Sequence, residues 1–245
     1  QKVSLSIAGE EVTGYLHLPA GAGRYPTVIV TNGLEGTIPE LAFPLLKYRN
    51  EKIGVFMMEM PGTYAYTQPM SVASEAVYNG VIDYLAANPR IDPARIAMVG
   101  VSFGGYWAAR MAAVNTRLCC TVACGAPLRH AFTISNSFGL PAIMISTLEK
   151  VVGAHSLLDL HAKMEALSFA EGDLYHKINI PLLVINGDTD TLLGTRDSIE
   201  LNSKVPTSFL KLYENDDHCA MGHYNQWLDL TFEWLKMQFA QSKGS

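Results

Sequence analysis

The run Arg95-Ile-Ala-Met-Val-Gly-Val-Ser-Phe-Gly-Gly-Tyr-Trp-Ala-Ala-Arg110 sets a serine between glycines where an apolar strand gives way to a helix-forming stretch. Ile96 to Val99 make a short buried-strand pattern, and Tyr106 to Ala113 an alanine-rich helical one, so Ser102 falls in the tight turn between them. In a G-x-S-x-G turn the serine backbone is strained, and the glycines, here Gly100 and Gly104, leave free the space that side chains would fill. The hydroxyl then projects at a helix N-terminus, with the Phe103 amide facing any negative charge that develops beside it. The plain alternative is a close-packed turn without chemistry. A strand before the serine and a helix after it weigh against that alternative.

Around this turn the chain alternates strand and helix. Lys2–Ile7 and Val12–Leu18 read as an antiparallel pair about Ala8-Gly9-Glu10. Then follow strand Thr27–Thr31, a helix near Pro39–Asn50, strand Ile53–Glu59, a helix near Ser71–Asn88, the serine turn, and strand Cys119–Cys124. From Ala126 to Tyr175 the pattern is helical with no clear strand, which suggests a cap inserted over the strand ends; an ordinary helical layer is the alternative. The sheet resumes at Pro181–Asn186, with a helix around Thr195–Ser203, strand Thr207–Tyr213 and an amphipathic helix from His223 to Gln241. The expected fold is therefore α/β: one domain over residues 1–245, with a mostly parallel sheet covered on both faces and a helical cap at 126–175.

Bulk composition narrows the function classes. With 245 residues, 49% hydrophobic and 17% charged, the chain can bury a large core. A net charge of −5 without a basic run gives nucleic acid no footprint, so the expected partner is a small-molecule substrate. No apolar stretch reaches the roughly 20 residues of a membrane span, and Gln1-Lys-Val-Ser-Leu-Ser lacks the apolar core of a signal peptide. Three of the four cysteines, Cys119, Cys120 and Cys124, crowd one strand with Cys219 far away, a poor disulfide framework. They read as reduced thiols of a cytoplasmic protein, and their spacing is not that of metal ligands. Oligomeric state is not legible.

A serine hydroxyl is a weak nucleophile until a histidine takes its proton and a carboxylate orients that histidine. After the serine, an acid and then a histidine should follow at strand ends. Leu182-Leu-Val-Ile-Asn-Gly-Asp-Thr-Asp190 ends a strand with two acids. Asp190 has cleared the strand and is favoured, whereas Asp188 reads better as a turn-former. Tyr213-Glu-Asn-Asp-Asp-His218 supplies the base, with His223 as the alternative at a helix start. An oxyanion hole needs a second amide from the loop Thr31-Asn-Gly-Leu-Glu-Gly-Thr37. Gly33 permits the close turn, so the Leu34 amide is the expected companion to that of Phe103. Glu35 is unusual beside a site that stabilises negative charge, and it reads either as a solvent-facing loop carboxylate or as a group that binds substrate. Pro61-Gly-Thr-Tyr64-Ala-Tyr66 follows another strand end and offers Tyr64 as a pocket wall, with simple loop packing as its alternative.

These residues resemble the α/β-hydrolase superfamily and, within it, the family of the fermentation-respiration switch protein and 2,6-dihydroxypseudooxynicotine hydrolase. The likeness runs from Ser4 to the last helix through Gly14-Tyr-Leu-His-Leu-Pro, Asn32-Gly-Leu-Glu-Gly, Met60-Pro-Gly, Gly100-Val-Ser-Phe-Gly-Gly, Gly187-Asp-Thr-Asp and Asp217-His-Cys. It implies Ser102 as nucleophile, Asp190 as acid, His218 as base and Glu35 as a polar group of the substrate pocket. The implied reactions are cleavage of esters or of a carbon–carbon bond next to a ketone; a binding protein on a hydrolase scaffold is the non-catalytic alternative. This chemistry needs no metal or organic cofactor. Those relatives carry an additional helical N-terminal domain, to which nothing in these residues corresponds.

Overall fold

A computed structural model describes residues 1–133 and 139–242. The eight strands are β1 (Lys2–Ile7), β2 (Glu10–His17), β3 (Tyr25–Thr31), β4 (Gly54–Met58), β5 (Ile91–Val101), β6 (Leu118–Cys124), β7 (Leu182–Gly187) and β8 (Ser208–Tyr213). They form one sheet in the order β1-β2-β4-β3-β5-β6-β7-β8. β1 and β2 pair antiparallel, β2 pairs antiparallel with β4, and every later pairing is parallel. This mixed, mostly parallel sheet is the expected α/β-hydrolase arrangement.

Near-continuous apolar strands are what a sheet buried on both faces demands, and period-two alternation sorts their side chains between two cores. Ile29, Ile96, Met98 and Val184 enter one core, under α2 (Glu75–Ala87) and α3 (Phe103–Val114). Val28, Val30, Ala97, Val99, Leu183 and Ile185 enter the other, under α1 (Ile38–Leu45) and the last helix. On the first side, Arg110 of α3 is buried with its Nε 2.6 Å from Glu75 Oε1 of α2, and its Nη1 donates to Tyr106 Oη at 3.1 Å. Because this cation has an acid and a hydroxyl as partners, its burial does not leave an unpaired charge.

Three elements depart from the sequence pattern, each for an identifiable reason. Helix α1 stops at Leu45 and passes into a 3-10 turn, Leu46–Tyr48; Pro44 inside it lacks the amide that would bond the Glu40 carbonyl, which weakens its last turn. Strand β5 starts at Ile91 rather than Ile96, because Ile91 pairs with Tyr25 and a register shift between Tyr25 and Thr27 absorbs the intervening residues. Helix α3 begins directly at Phe103, which places the first helical amide beside Ser102. Between β6 and β7 run α4 (Ala142–Val152), α5 (Leu157–Ala166) and α6 (Leu174–Lys177). Residues 134–138 of that segment lie outside the described residues. After β7 come α7 (Arg196–Lys204) and, closing the described chain, α8 (Tyr224–Gln241).

The serine turn is as strained as its sequence implies. Ser102 has φ 55° and ψ −122°, which L-residues seldom adopt. A Cβ on Gly100 would lie 1.9 Å from the Gly104 carbonyl oxygen, and one on Gly104 would lie 2.5 Å from that of Thr31. Backbone, not a yielding side chain, fills both spaces. Gly100→Ala should therefore destabilise the fold by about 3 kcal/mol, the upper end of overpacking costs, read as a lowered midpoint in urea denaturation. An unchanged midpoint would show that the turn can relax.

Candidate active site

The loops that follow β3, β5, β7 and β8 all emerge at the carboxyl edge of the parallel strands, where ligands bind in open α/β sheets. They bring together Ser102, Asp190 and His218. His218 Nε2 lies 2.9 Å from Ser102 Oγ, and His218 Nδ1 lies 2.9 Å from Asp190 Oδ2. An ionised carboxylate can only accept, so in the neutral ring Nδ1 carries the proton and donates to Asp190, which leaves Nε2 as the acceptor for the serine hydroxyl.

Asp190 is buried, and its acceptor positions are filled. Its Oδ1 accepts from the amides of Leu192 and Leu193 at 3.0 and 2.9 Å, while its Oδ2 accepts from His218 and from Asn186 Nδ2 at 3.0 Å. Burial alone would raise the carboxyl pKa, but the bond from His218, its positive charge when protonated, and the neighbouring amides hold it below the ordinary carboxylate value. For His218, burial opposes the charged ring. The bond to Asp190, with the Cys219 sulfur against the ring, nonetheless carries its pKa above the ordinary imidazole value.

A further condition lies in the strand order. Acid and base follow the adjacent strands β7 and β8, but the serine follows β5, with β6 between. The imidazole must cross the end of β6, and Gly125 stands there with φ 59°. A Cβ at Gly125 would lie 3.1 Å from His218 Cε1 and 2.4 Å from Cys219 Sγ. The missing side chain is the room through which His218 reaches the serine.

The loop after β3 approaches equally closely. A Cβ on Gly33 would lie 2.8 Å from Ser102 Cβ and 3.3 Å from the Phe103 nitrogen, so Gly33 brings its strand end directly onto the elbow. The amides of Leu34 and Phe103 have no acceptor among the described residues. Glu35 and Tyr64 sit apart from this cluster, at the exposed rim. The Tyr64 hydroxyl donates to the Glu35 carbonyl oxygen, and the Glu35 carboxylate takes a long bond, 3.5 Å, from Thr147 of α4. Of the alternatives, Asp188 is exposed, its amide donating to the Tyr213 carbonyl at 3.0 Å, and His223 pairs with Asp216 at 2.7 Å while stacking on Tyr213.

Beside Ser102 opens a pocket lined by apolar side chains, among them Leu34, Phe132, Met144, Leu148, Met164 and Leu193. Its free volume is about 30 Å³, enough for one or two waters. Met144 and Met164 lie in the stretch whose sequence pattern is helical, but nothing in that pattern marks the wall they share with Phe132 and Leu193. One group of described residues has metal-ligand proximity: His130, Asp197 and Glu200. Its charges are already used. Asp197 accepts four amides, from Leu128, Arg129, His130 and Ala131, and Glu200 pairs with Arg129, His130 and Lys204. The group pins the chain after β6 to α7.

The FrsA-like esterase family matches residues 1–240. Esterase FrsA of Klebsiella pneumoniae subsp. pneumoniae is 23% identical over 238 residues, which are 91% of this chain and 57% of that protein. Esterase FrsA of Salmonella schwarzengrund is 24% identical over 235 residues, 90% of this chain and 56% of that protein. The chain thus spans a little over half the length of these curated relatives. The structure of 2,6-dihydroxy-pseudo-oxynicotine hydrolase superposes with a TM-score of 0.81 at 20% identity, over 93% of this chain and 66% of that one. Est1E from Butyrivibrio proteoclasticus does so with a TM-score of 0.73 at 15% identity, over 100% and 99%. At these identities the likeness establishes the fold. No helix of the described residues is long and apolar enough to cross a membrane, and all four cysteines are free thiols.

The site's electrostatics can be read without a substrate. In an NMR titration the His218 ring should have its midpoint above about 6.5, the ordinary imidazole value. In Asp190→Asn, with the carboxylate gone and burial left to act, the midpoint should fall below that of the parent protein. Equal midpoints in the two proteins would mean that Asp190 does not hold the ring's charge.

Proposed function

The chain belongs to the FrsA-like esterase family, and from that premise we propose that it is a serine hydrolase of small, uncharged carboxylic esters. The observation that supports this most directly is the pair of 2.9 Å bonds running from Asp190 through His218 to Ser102. In the proposed reaction Ser102 Oγ attacks the ester carbonyl carbon while His218 Nε2 takes the hydroxyl proton. Asp190 fixes the imidazole tautomer and stabilises the imidazolium that forms. The amides of Leu34 and Phe103 hold the developing oxyanion, a contribution worth about 3 kcal/mol per donor in comparable sites. His218 returns its proton to the leaving alkoxide, and a water activated by the same ring then releases the acid from Ser102.

The apolar pocket defines the substrate class within this reading. Its lining side chains present carbon and sulfur apart from the Ser102 hydroxyl, so a charged substituent would enter with no partner and bear the full cost of desolvation. The free space suits a short chain. Larger groups require the unbranched Met144 and Met164 side chains to move, which methionine does readily. We assign residues 126–175 as the cap of this pocket, because Phe132, Met144, Leu148 and Met164 all come from it. Tyr106 Oη of α3 donates to the Leu167 carbonyl at 2.9 Å, and Asp197 of α7 accepts the amides of Leu128, Arg129, His130 and Ala131, so the segment is anchored to the rest of the domain at several points. In this reading Glu35 and Tyr64 border the entrance, a role supported by the Thr147 contact that links the Glu35 loop to the cap.

The test is turnover of p-nitrophenyl butyrate together with labelling by a fluorophosphonate and peptide mapping. Ser102→Ala should lower kcat/KM by about 10⁴-fold or more and abolish the label, since loss of a triad member leaves only residual catalysis. The hemisuccinate ester should be turned over at least about 100-fold less efficiently than the butyrate. Parent protein that reacts with neither ester nor probe would mark an inert binding scaffold. Labelled protein that ignores esters but cleaves acylated phenolic ketones would make the scissile bond carbon–carbon, with Glu35→Gln then impairing the ketone reaction.

A further inference from the structure

Acid and base are joined by a side chain that belongs to neither of their loops. Asn186 is the penultimate residue of β7, 1% exposed, in a strand whose other members are leucine, valine, isoleucine and glycine. A buried primary amide is costly unless its two donor and two acceptor positions are met. Here each has a partner. Oδ1 accepts from the amides of Gly187 and Cys219, both at 2.9 Å, and Nδ2 donates to Asp190 Oδ2 at 3.0 Å and to Ser198 Oγ at 3.4 Å.

Two of these partners stand on opposite sides of the relay. The Asp190 oxygen that Asn186 contacts is the one to which His218 donates, and Cys219 immediately follows His218. The turn after His218 is held against its own preferences, since Cys219 has φ 60° and Ala220 φ 49°, both left-handed and neither glycine. A bond to the Cys219 amide therefore restrains the residue that aims the imidazole.

We propose that Asn186 is a positioning residue of the hydrolytic site, holding the Asp190 carboxylate and the His218 turn in one register. The proposal rests on the hydrolase reading above. The site needs a group that donates to a carboxylate and accepts from an amide at the same time. Leucine does neither, aspartate cannot donate, and a cation would compete with His218 for Asp190.

The experiment is a double-mutant cycle on p-nitrophenyl butyrate hydrolysis, with Asn186→Leu and Asp190→Asn singly and together and thermal melting measured alongside. Asn186→Leu should lower kcat about 10- to 100-fold, the loss that follows from removing a hydrogen bond to a charged group, and leave KM within about threefold. In the Asp190→Asn background the same substitution should cost less than about threefold, because the carboxylate through which Asn186 acts is gone. A merely structural asparagine would lower the melting temperature and cost the same factor in both backgrounds. That result, or a single variant within about twofold of the parent kcat, overturns the proposal. If Asn186→Leu does not fold, Asn186→Ala, a truncation that removes the donation to Asp190 and the acceptor toward Gly187 and Cys219 without adding bulk or charge, takes its place in the same cycle. A parent protein that is inert to ester and fluorophosphonate alike overturns the hydrolase reading and this one with it, whereas an active parent with an additive cycle overturns this one alone.

Discussion

The site depends on the imidazole of His218 reaching across a strand. Its carboxylate partner follows the neighbouring strand β7, but its serine partner follows β5, and β6 lies in the gap. Two bonds of 2.9 Å close that span, so neither end can drift by much before one of them opens. The rest of the molecule serves this geometry. The parallel sheet delivers all the strand ends to one edge, and Gly125 leaves the end of β6 bare. The loops after β7 and β8 are laced by Thr191, whose amide and hydroxyl both donate to Asp217 at 2.7 and 2.8 Å.

Holding the three groups in line costs conformational energy, and the cost is local. Ser102, Cys219 and Ala220 have positive φ angles, each costing on the order of 1–3 kcal/mol in isolation. What offsets them is the surrounding density of contacts: the Ser102 amide is tied to the Cys124 carbonyl of β6 at 2.7 Å, the Cys219 amide to Asn186 and the Ala220 amide to the Asp217 carbonyl. Burying Asp190 is tolerated for the same reason. A buried carboxylate without partners would take a proton, but with two amides, an asparagine and a histidine around it the charged form is the stable one.

Much of this was legible in the sequence because it is written locally. Period-two alternation and glycine spacing placed the strands and the serine turn, and the close contacts at Gly100 and Gly104 are the physical reason that spacing was informative. Asp190 could be separated from Asp188 by its distance past the strand end, and the structure finds the first buried and the second exposed. What could not be read depends on partners distant in the chain. Gly125 looks like any glycine after a strand until the β8 loop is seen to pass over it. Asn186 did leave a signal, a polar amide inside an otherwise apolar strand, but its partners lie in three other segments, so its role could not be inferred from spacing. The shortened α1 and the early start of β5 follow the same division: Pro44 is a local cue, while the Ile91–Tyr25 pairing is a long-range one.

The substrate side follows from the same edge of the sheet. Because Gly33 lets the β3 loop press against Ser102, the next residue, Leu34, joins the wall of the apolar pocket through its side chain and, in the proposed reaction, meets the oxyanion through its amide. Oxyanion support and selection of an uncharged substrate would then be two consequences of one loop position. The most direct measurement of the whole arrangement is a crystal structure of the protein after reaction with a fluorophosphonate. A phosphorus bonded to Ser102 Oγ, with its phosphoryl oxygen about 2.7–3.1 Å from both the Leu34 and Phe103 nitrogens and His218 still bonded to Asp190, is the expected result. A phosphoryl oxygen turned away from both amides, or an adduct on any other residue, would contradict it.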